Sequence, residues 1–395
     1  MSVSPHSKIF VFVLGGFVTL APAAIDMSLP AIPAIEATFP NAAGKGALTL
    51  TLFLFGFAVA PLVAGAISDR IGRKPVLLAG LAGFVCGAVV ASSATEFLWL
   101  LAGRFIGGLG SGAIALLPIS MIRDTSHGTE ARVRLSIIVG VLGIAPVVAP
   151  IPGGWLIAFA SWPTIFVAQA AAGLLLMLAA AVLVPETSPE ERRRARLPVG
   201  QAYAKVLSNR TFLRFCAVFS LNFGAMFTFL SSTSTIFMQT YHLSSWAFSL
   251  AYSAIACGVM LGTTLSGVLG RAGRSVPEVI TLGVAIMLIA IAALGVTSLA
   301  GVASPLSVAV CACAVFLSFG LIGPNATHES MRPFMHEAGI AAGFSRFAQM
   351  VSGAVGSGLV VALAGHLGSL WAAVVSMALF AVATTLAFFV VPASV

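Results

Sequence analysis

Three charged side chains lie inside long apolar stretches of this sequence, and they are the residues best placed to do chemistry. Asp26 is the one carboxylate among twelve Asp and Glu that falls within such a stretch and away from its ends, and Arg104 and Arg346 are the two cations so placed. A charge inside a lipid bilayer costs at least about 2.5–3.5 kcal/mol, so it is kept where it faces a cavity, a partner or a function. A carboxylate in a cavity of low dielectric takes up a proton more readily than one in water, and a nearby cation opposes that uptake. Protons and a cationic or polar substrate can therefore compete for Asp26, which is the minimal machinery of antiport.

Twelve apolar stretches must position these charges. Hydrophobic residues make up 59% of the 395 residues and charged residues only 8%, whereas soluble domains carry about 25% charged residues. Composition alone therefore excludes the soluble classes of protein. Spans of roughly 20 residues, numbered here 1 to 12, are predicted at 10–33, 46–67, 76–94, 97–122, 134–157, 163–184, 211–238, 246–269, 277–298, 305–326, 339–364 and 369–391.

The distribution of basic residues predicts the topology. The N-terminal tail, the loops after spans 2, 4, 6, 8 and 10 and the span ends that border these loops hold 17 of the 20 Lys and Arg. The positive-inside rule then places both termini in the cytoplasm. The net charge of +8 belongs to these loops and does not indicate nucleic-acid binding. We expect a monomer embedded in the lipid of a bacterial-type inner membrane.

Asp26 and Arg104 are predicted to lie at matching depth. Span 1 runs outward and Asp26 precedes its end by about seven residues, or about 10 Å at 1.5 Å per residue. Span 4 runs inward and Arg104 follows its outer end by about the same number of residues. We therefore expect these two residues to couple proton movement and to line the substrate cavity. The alternative is a fixed ion pair that locks spans 1 and 4 together.

The chain divides into two halves at its longest polar stretch. We predict an N-terminal six-helix bundle over 1–184, a cytoplasmic linker over 185–210 and a C-terminal six-helix bundle over 211–395. Both halves carry Arg-x-Gly-Arg after their second span, at Arg70–Arg73 and Arg271–Arg274. Parallel repeats of this kind, with a site near the midplane at their interface, are a secondary-transporter architecture.

A cytoplasmic charge cluster follows span 2. It contains Gly65, Asp69, Arg70, Gly72 and Arg73. We expect the Asp69 carboxylate to cap or salt-bridge neighbouring helix ends and so to hold a gate shut. The alternative is a simple topology signal, in which the cations only keep the loop inside.

Span 5 carries the other predicted gating residues, Pro146, Pro150, Gly153 and Gly154. Each proline removes a backbone donor, so this span cannot form one straight helix. Small residues also let helices approach closely. We predict a kinked pivot, and the alternative is ordinary packing of membrane helices.

Span 7 combines hydroxyl, amide, aromatic and thioether side chains, among them Asn222, Met226, Phe227, Ser231 and Thr235. Hydroxyls satisfy backbone groups that local unwinding frees, while Phe and Met provide an adaptable apolar wall. This mixture predicts part of a substrate cavity for varied, partly apolar compounds. The alternative is that the aromatic rings face lipid or other helices.

Arg346 in span 11 has two open interpretations. It snorkels to the cytoplasmic interface or pairs with Glu329 or Glu337. Alternatively it lines the inner cavity and favours an anionic or dipolar substrate, and on this basis we include it among the predicted cavity residues.

Five segments resemble motifs of the major facilitator superfamily. Gly65–Pro75 resembles its cytoplasmic loop signature, Gly103–Gly110 its buried-arginine motif and Ala145–Trp155 its antiporter motif. Ile25–Pro33 and Pro324–Thr327 are similar to segments of the Bcr/CflA drug-resistance branch. The resemblance implies an all-α membrane protein with 12 transmembrane helices in two pseudo-symmetric six-helix bundles. It also implies multidrug efflux by drug:proton antiport, and hence antibiotic resistance.

Three classes of function remain at this stage. We prefer a proton-coupled antiporter that exports small drug-like compounds by alternating access, powered by the proton gradient without a cofactor or metal. The second is an exporter or importer of one metabolite, such as a sugar, purine or amino-acid derivative, and the third is a membrane sensor. An enzyme is disfavoured because no nucleophile and base lie at one depth.

Overall fold

The computed structural model describes residues 7–126, 128–188, 199–334 and 338–390. Within these ranges the chain is helical, and twelve helical segments are long and apolar enough to cross a membrane. This confirms the predicted all-α fold with twelve spans. In order, spans 1 to 12 are Lys8–Thr38, Leu48–Ile71, Arg73–Ser92, Phe97–Thr125, Val133–Phe159, Pro163–Leu183, Arg210–Thr240, Ser245–Arg271, Val276–Leu299, Pro305–Met331, Gly339–Leu367 and Ser369–Phe389.

Span 1 is a broken helix. Its first helix is Lys8–Asp26, its second is Ile32–Thr38, and a short 3₁₀ turn at Leu29–Ala31 joins them. The break follows from Pro30 and Pro33, since neither residue has a backbone N–H to continue the helical ladder. Span 1 is therefore not the single helix that the hydropathy pattern suggests.

Span 5 also breaks at its prolines. One helix covers Gly128–Val148 and the next covers Pro150–Phe159, with Ala149 between them. Pro150 occupies the first position of the second helix, where a missing N–H costs nothing. Pro146 lies inside the last turn of the first helix.

Span 7 changes its helical type near its end. The α-helix Arg210–Ser234 continues as a π-helical turn over Thr235–Thr240. Hydroxyls before the change bond to the backbone of the preceding turn, as in Thr228 to the Gly224 carbonyl at 2.8 Å and Thr233 to the Phe229 carbonyl at 2.7 Å. Both are bonds to the carbonyl four residues earlier within the regular α-helix, a local partner that Ser and Thr hydroxyls commonly use.

The described residues form two compact units. The described residues of the first unit fall within Met1–Ala42 and Leu52–Leu197, and those of the second within Ala43–Thr51 and Pro198–Val395. The first unit therefore holds span 1, most of span 2 and spans 3 to 6. The second holds the start of span 2 and spans 7 to 12.

Glycines allow close helix crossings inside each unit. In the first unit, a Cβ on Gly108 of span 4 would collide with the Phe53 carbonyl of span 2. In the second unit, a Cβ on Gly320 of span 10 would collide with the Val259 carbonyl of span 8. Close approach of this kind is how membrane helices gain packing energy without a hydrophobic driving force.

Candidate functional site

Asp26 is the last residue of the first helix of span 1, and its side chain is buried. The Ser28 hydroxyl donates to the Ile25 carbonyl at 2.7 Å, and the Met27 N–H donates to the Ala23 carbonyl at 3.0 Å. The carboxyl end of a helix carries partial negative charge. Asp26 therefore adds its carboxylate to an end that is already electronegative.

Arg104 is buried in span 4 between two aromatic rings. Its guanidinium carbon lies 4.3 Å from the ring centroid of Phe53 and 5.6 Å from that of Phe166. Cations over aromatic faces are attracted by the ring quadrupole, and the attraction grows where water is excluded. A void of about 10 Å³ adjoins the guanidinium, with Gln169 also in its lining. That volume accommodates one water molecule at most.

Gln169 in span 6 lies beside Arg104 and contacts the backbone near Asp26. Its amide N–H donates to the Ala24 carbonyl at 3.1 Å, two residues before Asp26. The side chain is buried and lines the void beside Arg104. Sequence reasoning missed this residue, although a glutamine in an otherwise apolar span is the signal that would have found it.

Gly153 brings span 5 against the break in span 1. A Cβ at this position would collide with the Met27 carbonyl, one residue beyond Asp26. Gly154 is buried beside it. The second helix of span 5, which Pro150 begins, therefore packs directly on the backbone that follows Asp26, so the broken segments of spans 1 and 5 meet within the first unit.

Arg73 organises the cytoplasmic charge cluster. Its guanidinium is 2.6 Å from the Asp69 carboxylate and 3.0 Å from the Asp124 carboxylate, and it donates to the Ser68 hydroxyl at 2.6 Å. The Ser68 hydroxyl in turn donates to the Gly65 carbonyl at 2.8 Å. The Asp69 side chain is 42% exposed, whereas that of Asp124 is 1% exposed. The buried carboxylate at the end of span 4 was not among the predicted residues.

Glu186, beyond span 6, completes this cluster by capping span 3. Its carboxylate accepts hydrogen bonds from the backbone N–H groups of Arg73 at 2.8 Å and Lys74 at 3.1 Å. It also accepts from the N–H groups of Thr187 and Ser188, both at 2.9 Å. Burial raises the pKa of Glu186, but these four N–H groups outweigh that effect and lower its pKa overall.

Gly72 makes room for the Glu186 cap. Its φ of +108° lies in the region that favours glycine. A Cβ at this position would also collide with the Glu186 carboxylate. We use the name Arg73 cluster for Ser68, Asp69, Arg73, Asp124 and Glu186. Arg70, also predicted as a gating residue, is exposed.

The predicted cavity residues of span 7 lie in the second unit. Asn222 is buried, and its amide N–H donates to the Ser318 hydroxyl at 3.4 Å and lies 3.2 Å from the Met287 sulfur. Met226, Phe227 and Ser231 are also buried, and Thr235 begins the π-helical turn as a half-buried residue. Substrate contact by these side chains stays a prediction.

Arg346 is exposed, and it donates to the Gln349 side-chain oxygen at 2.7 Å. Glu329, one of its two predicted partners, lies 3.6 Å from Arg332 instead. The other, Glu337, falls outside the described residues. Gln349 is buried and holds the guanidinium from one side.

Twelve membrane-length helices, with a carboxylate buried at a helix break and a guanidinium buried in a neighbouring span, are the arrangement of a multi-pass membrane transporter. The sequence profile of the Major Facilitator Superfamily matches residues 13–357, and the chain belongs to that family.

Curated relatives carry transporter names. The chain is 28% identical to "Uncharacterized MFS-type transporter YdgK" of Bacillus subtilis (strain 168), over 88% of this chain and 87% of the relative. It is 29% identical to "Multidrug resistance protein MdtL" of Salmonella heidelberg (strain SL476), over 66% of this chain and 65% of that protein. The matching protein of Citrobacter koseri is 29% identical, over 63% of each chain. The aligned part of MdtL is thus under two thirds of its length.

Solved transporter structures share the fold. The chain superposes on a D-xylose-proton symporter with a TM-score of 0.78, at 15% identity and with 98% of each chain covered. It superposes on a bacterial homologue of the human lysosomal transporter Spinster with a TM-score of 0.73, at 14% identity and 97% coverage of each chain. At these identities the likeness concerns the fold alone.

Proposed function

We propose that this transporter is a proton-coupled antiporter that exports small drug-like compounds from the cytoplasm by alternating access. The observation that carries the proposal is the position of Asp26. It is a buried carboxylate at the end of the first helix of span 1, and span 5 packs on the backbone that follows it. Gln169, which lines the same void as Arg104, donates a hydrogen bond to the Ala24 carbonyl two residues before Asp26. Broken helices that meet near the middle of the membrane are where transporters of this kind bind substrates and coupling ions.

Competition between a proton and the substrate for Asp26 couples proton entry to substrate export in this proposal. With a proton on Asp26 the electronegative helix end is neutralised, and the cationic substrate has no charge to bind. Loss of the proton restores the negative charge, and a cationic or polar compound takes its place. The positive charge of Arg104 opposes proton uptake by a carboxylate in its vicinity. Arg104 therefore sets the pH range over which the exchange runs.

The Arg73 cluster and span 5 supply the conformational control in this proposal. The cluster ties together the ends of spans 2, 3 and 4 and the segment after span 6 within the first unit. Any interaction that exists in only one of two conformations shifts their populations by its own free energy. We infer that Asp69 and Asp124 favour one state of the transport cycle, and that the break between Pro146 and Pro150 absorbs part of the change.

We infer the class of substrate from the names of curated relatives. Two proteins at 29% identity bear the name "Multidrug resistance protein MdtL", which supports multidrug efflux and antibiotic resistance. The second candidate is a transporter for one anionic or dipolar metabolite. Arg346 favours it, because an exposed guanidinium held by Gln349 has further donors to offer a carboxylate.

The remaining expectations follow from the same argument. We propose a monomer in a bacterial-type inner membrane, with both termini in the cytoplasm, that uses the proton gradient as its energy source and needs no cofactor. Its partners are protons, a small-molecule substrate and the lipid bilayer.

Substitution of Asp26 by Asn tests the coupling directly. Asn keeps the size of the side chain but cannot exchange a proton, so export of a growth-inhibiting compound against its gradient should cease. The wild type should release protons in detergent when substrate is added, and Asp26→Asn should not. Glu278→Gln is a matched control, because Glu278 is an exposed carboxylate at the start of span 9, paired with Arg274. Uphill export by Asp26→Asn under a pH gradient alone would refute the coupling role.

A panel of growth-inhibition tests, with and without expression, separates the two candidate substrate classes. Protection against several unrelated compounds supports broad efflux. Protection against a single compound favours the specific metabolite transporter.

A further inference from the structure

A second cavity lies in the first unit, at the opposite end of the helices from the Arg73 cluster. It has a volume of about 450 Å³ and opens between the segment after span 1 and the start of span 4. Small-molecule sites typically measure about 300–1,000 Å³. The volume of this cavity falls within that range, and the coupling mechanism makes no use of it.

The lining of this cavity combines one carboxylate with aromatic and aliphatic surface. Glu96 supplies the charge, Asn41 a carboxamide, Phe39 and Phe97 two rings, and Leu98 and Leu101 the aliphatic part. Among the described residues that line it there is no Lys or Arg. The full negative charge of Glu96 outweighs the partial positive charge at the amino end of the span 4 helix, so this lining favours a cation. Its aromatic faces add an attraction for ammonium groups.

Contacts within the protein hold the inner wall of the cavity in place without a ligand. The ring of Phe39 lies 6.1 Å from that of Phe97 and 5.6 Å from that of Trp162, measured between centroids. The Trp162 indole N–H donates to the Thr38 hydroxyl at 3.0 Å. Phe39 and Trp162 are both buried in one apolar cluster with Leu100. Preorganised walls of this kind lower the entropic cost of binding.

The rim of the cavity lies where a membrane surface would reach it. Leu98 is 71% exposed and Trp99 is 58% exposed. Exposed tryptophans at the ends of membrane helices mark the boundary between lipid and water. A molecule with a charged head and an apolar body can therefore enter from that boundary.

We propose that this cavity binds organic ammonium compounds that carry an apolar body. The ammonium group lies against the Glu96 carboxylate and the rings of Phe39 and Phe97, and the apolar body packs on Leu98 and Leu101. Two sources supply this chemistry, the ethanolamine headgroup of a phospholipid and a soluble amphipathic amine. The site is separate from Asp26, so binding here does not depend on the proposed proton coupling.

Calorimetric titration of the full-length protein with benzyltrimethylammonium tests the proposal. The protein is placed in nanodiscs of phosphatidylglycerol, which offer no ethanolamine headgroup. The Asp26→Asn variant serves as the background, so that binding at the proposed coupling site does not contribute. Glu96→Gln in this background should raise the dissociation constant about two- to fivefold, because it removes the one charge that faces the ammonium and an exposed carboxylate contributes about 0.2–1 kcal/mol. Glu96 is exposed, so its substitution leaves the core packing intact.

Glu36→Gln is the matched control for surface charge. Glu36 is another carboxylate at this end of the first unit, in the second helix of span 1, and it does not line the cavity. This variant should bind the ammonium compound like its background. Equal binding in Glu96→Gln and Glu36→Gln overturns the proposal. Complete loss of binding in Asp26→Asn alone also overturns it, while leaving the antiport proposal in place.

Replacement of half the phosphatidylglycerol by phosphatidylethanolamine separates the two sources. If the lipid headgroup occupies the cavity, the dissociation constant of benzyltrimethylammonium rises, and this rise is absent in Glu96→Gln. If the constant is unchanged, soluble amines are the ligands. Both outcomes support an ammonium site that depends on Glu96.

Discussion

The two carboxylates that hold Arg73 should differ greatly in their contribution to stability. Asp69 lies 2.6 Å from the guanidinium, but 42% of its side chain is exposed. An ion pair that water can reach contributes about 0.2–1 kcal/mol, so Asp69→Asn should have a small effect. The Asp124 side chain is 1% exposed and that of Arg73 is 6% exposed. Removal of one partner from a buried ion pair costs about 3–5 kcal/mol. We expect Asp124→Asn to lower the free energy of unfolding by about 3 kcal/mol, because Asp69 still contacts the Arg73 guanidinium.

Thermal unfolding of the purified protein, followed by tryptophan fluorescence, measures this difference. Asp124→Asn should lower the unfolding temperature far more than Asp69→Asn. Salt screens exposed pairs but hardly affects buried ones. In high salt the small effect of Asp69→Asn should therefore vanish, while that of Asp124→Asn should persist.

Glu130→Gln is a matched control, because Glu130 is also a half-exposed carboxylate, 2.6 Å from the largely buried Arg134 four residues later. Its effect should resemble that of Asp69→Asn in size and in salt dependence. An unfolding temperature that falls equally in Asp69→Asn and Asp124→Asn would refute the reasoning. So would an effect of Asp124→Asn that disappears in high salt.

Three further substitutions test other parts of the argument. Arg104→Ala should raise the pH at which substrate displaces a proton from the purified transporter, and Arg104→Lys should partly restore it; an unchanged pH profile would reduce Arg104 to a packing role. Glu186→Gln should alter the pH dependence of unfolding. Because the pKa of Glu186 is lowered from 4.5 in the folded protein, its contribution is present above that pH and is lost as the pH falls through the folded-state value, and the variant should lack this loss. Gly153→Val should abolish transport and lower the unfolding temperature, since its side chain would strike the Met27 carbonyl, whereas Gly140→Ala in the same span meets no atom within 4 Å and should behave like the wild type.

Hydropathy and charge were sufficient to predict the twelve spans. A bilayer imposes a minimum apolar length on every crossing and a heavy cost on every buried charge. The same rule identified Asp26 and Arg104, because a charge in an apolar span is visible without any structure. The prolines of span 5 likewise predicted that this span cannot form one straight helix, since the lost backbone donor is a local property. The precise break after Asp26 was not predicted, because it depends on which of several prolines ends the helix.

The partners of these residues were decided by the tertiary structure alone. Arg73 contacts Asp124, 51 residues away, and its backbone N–H reaches Glu186, 113 residues away. Which carboxylate meets which cation depends on the rotation of each helix about its axis, and apolar spans with nearly uniform faces do not encode that rotation. The same holds for Gln169 beside Arg104 and for the cavity around Glu96, where residues from separate loops converge. Sequence therefore determined what must be buried in the membrane, and helix packing decided which buried groups meet.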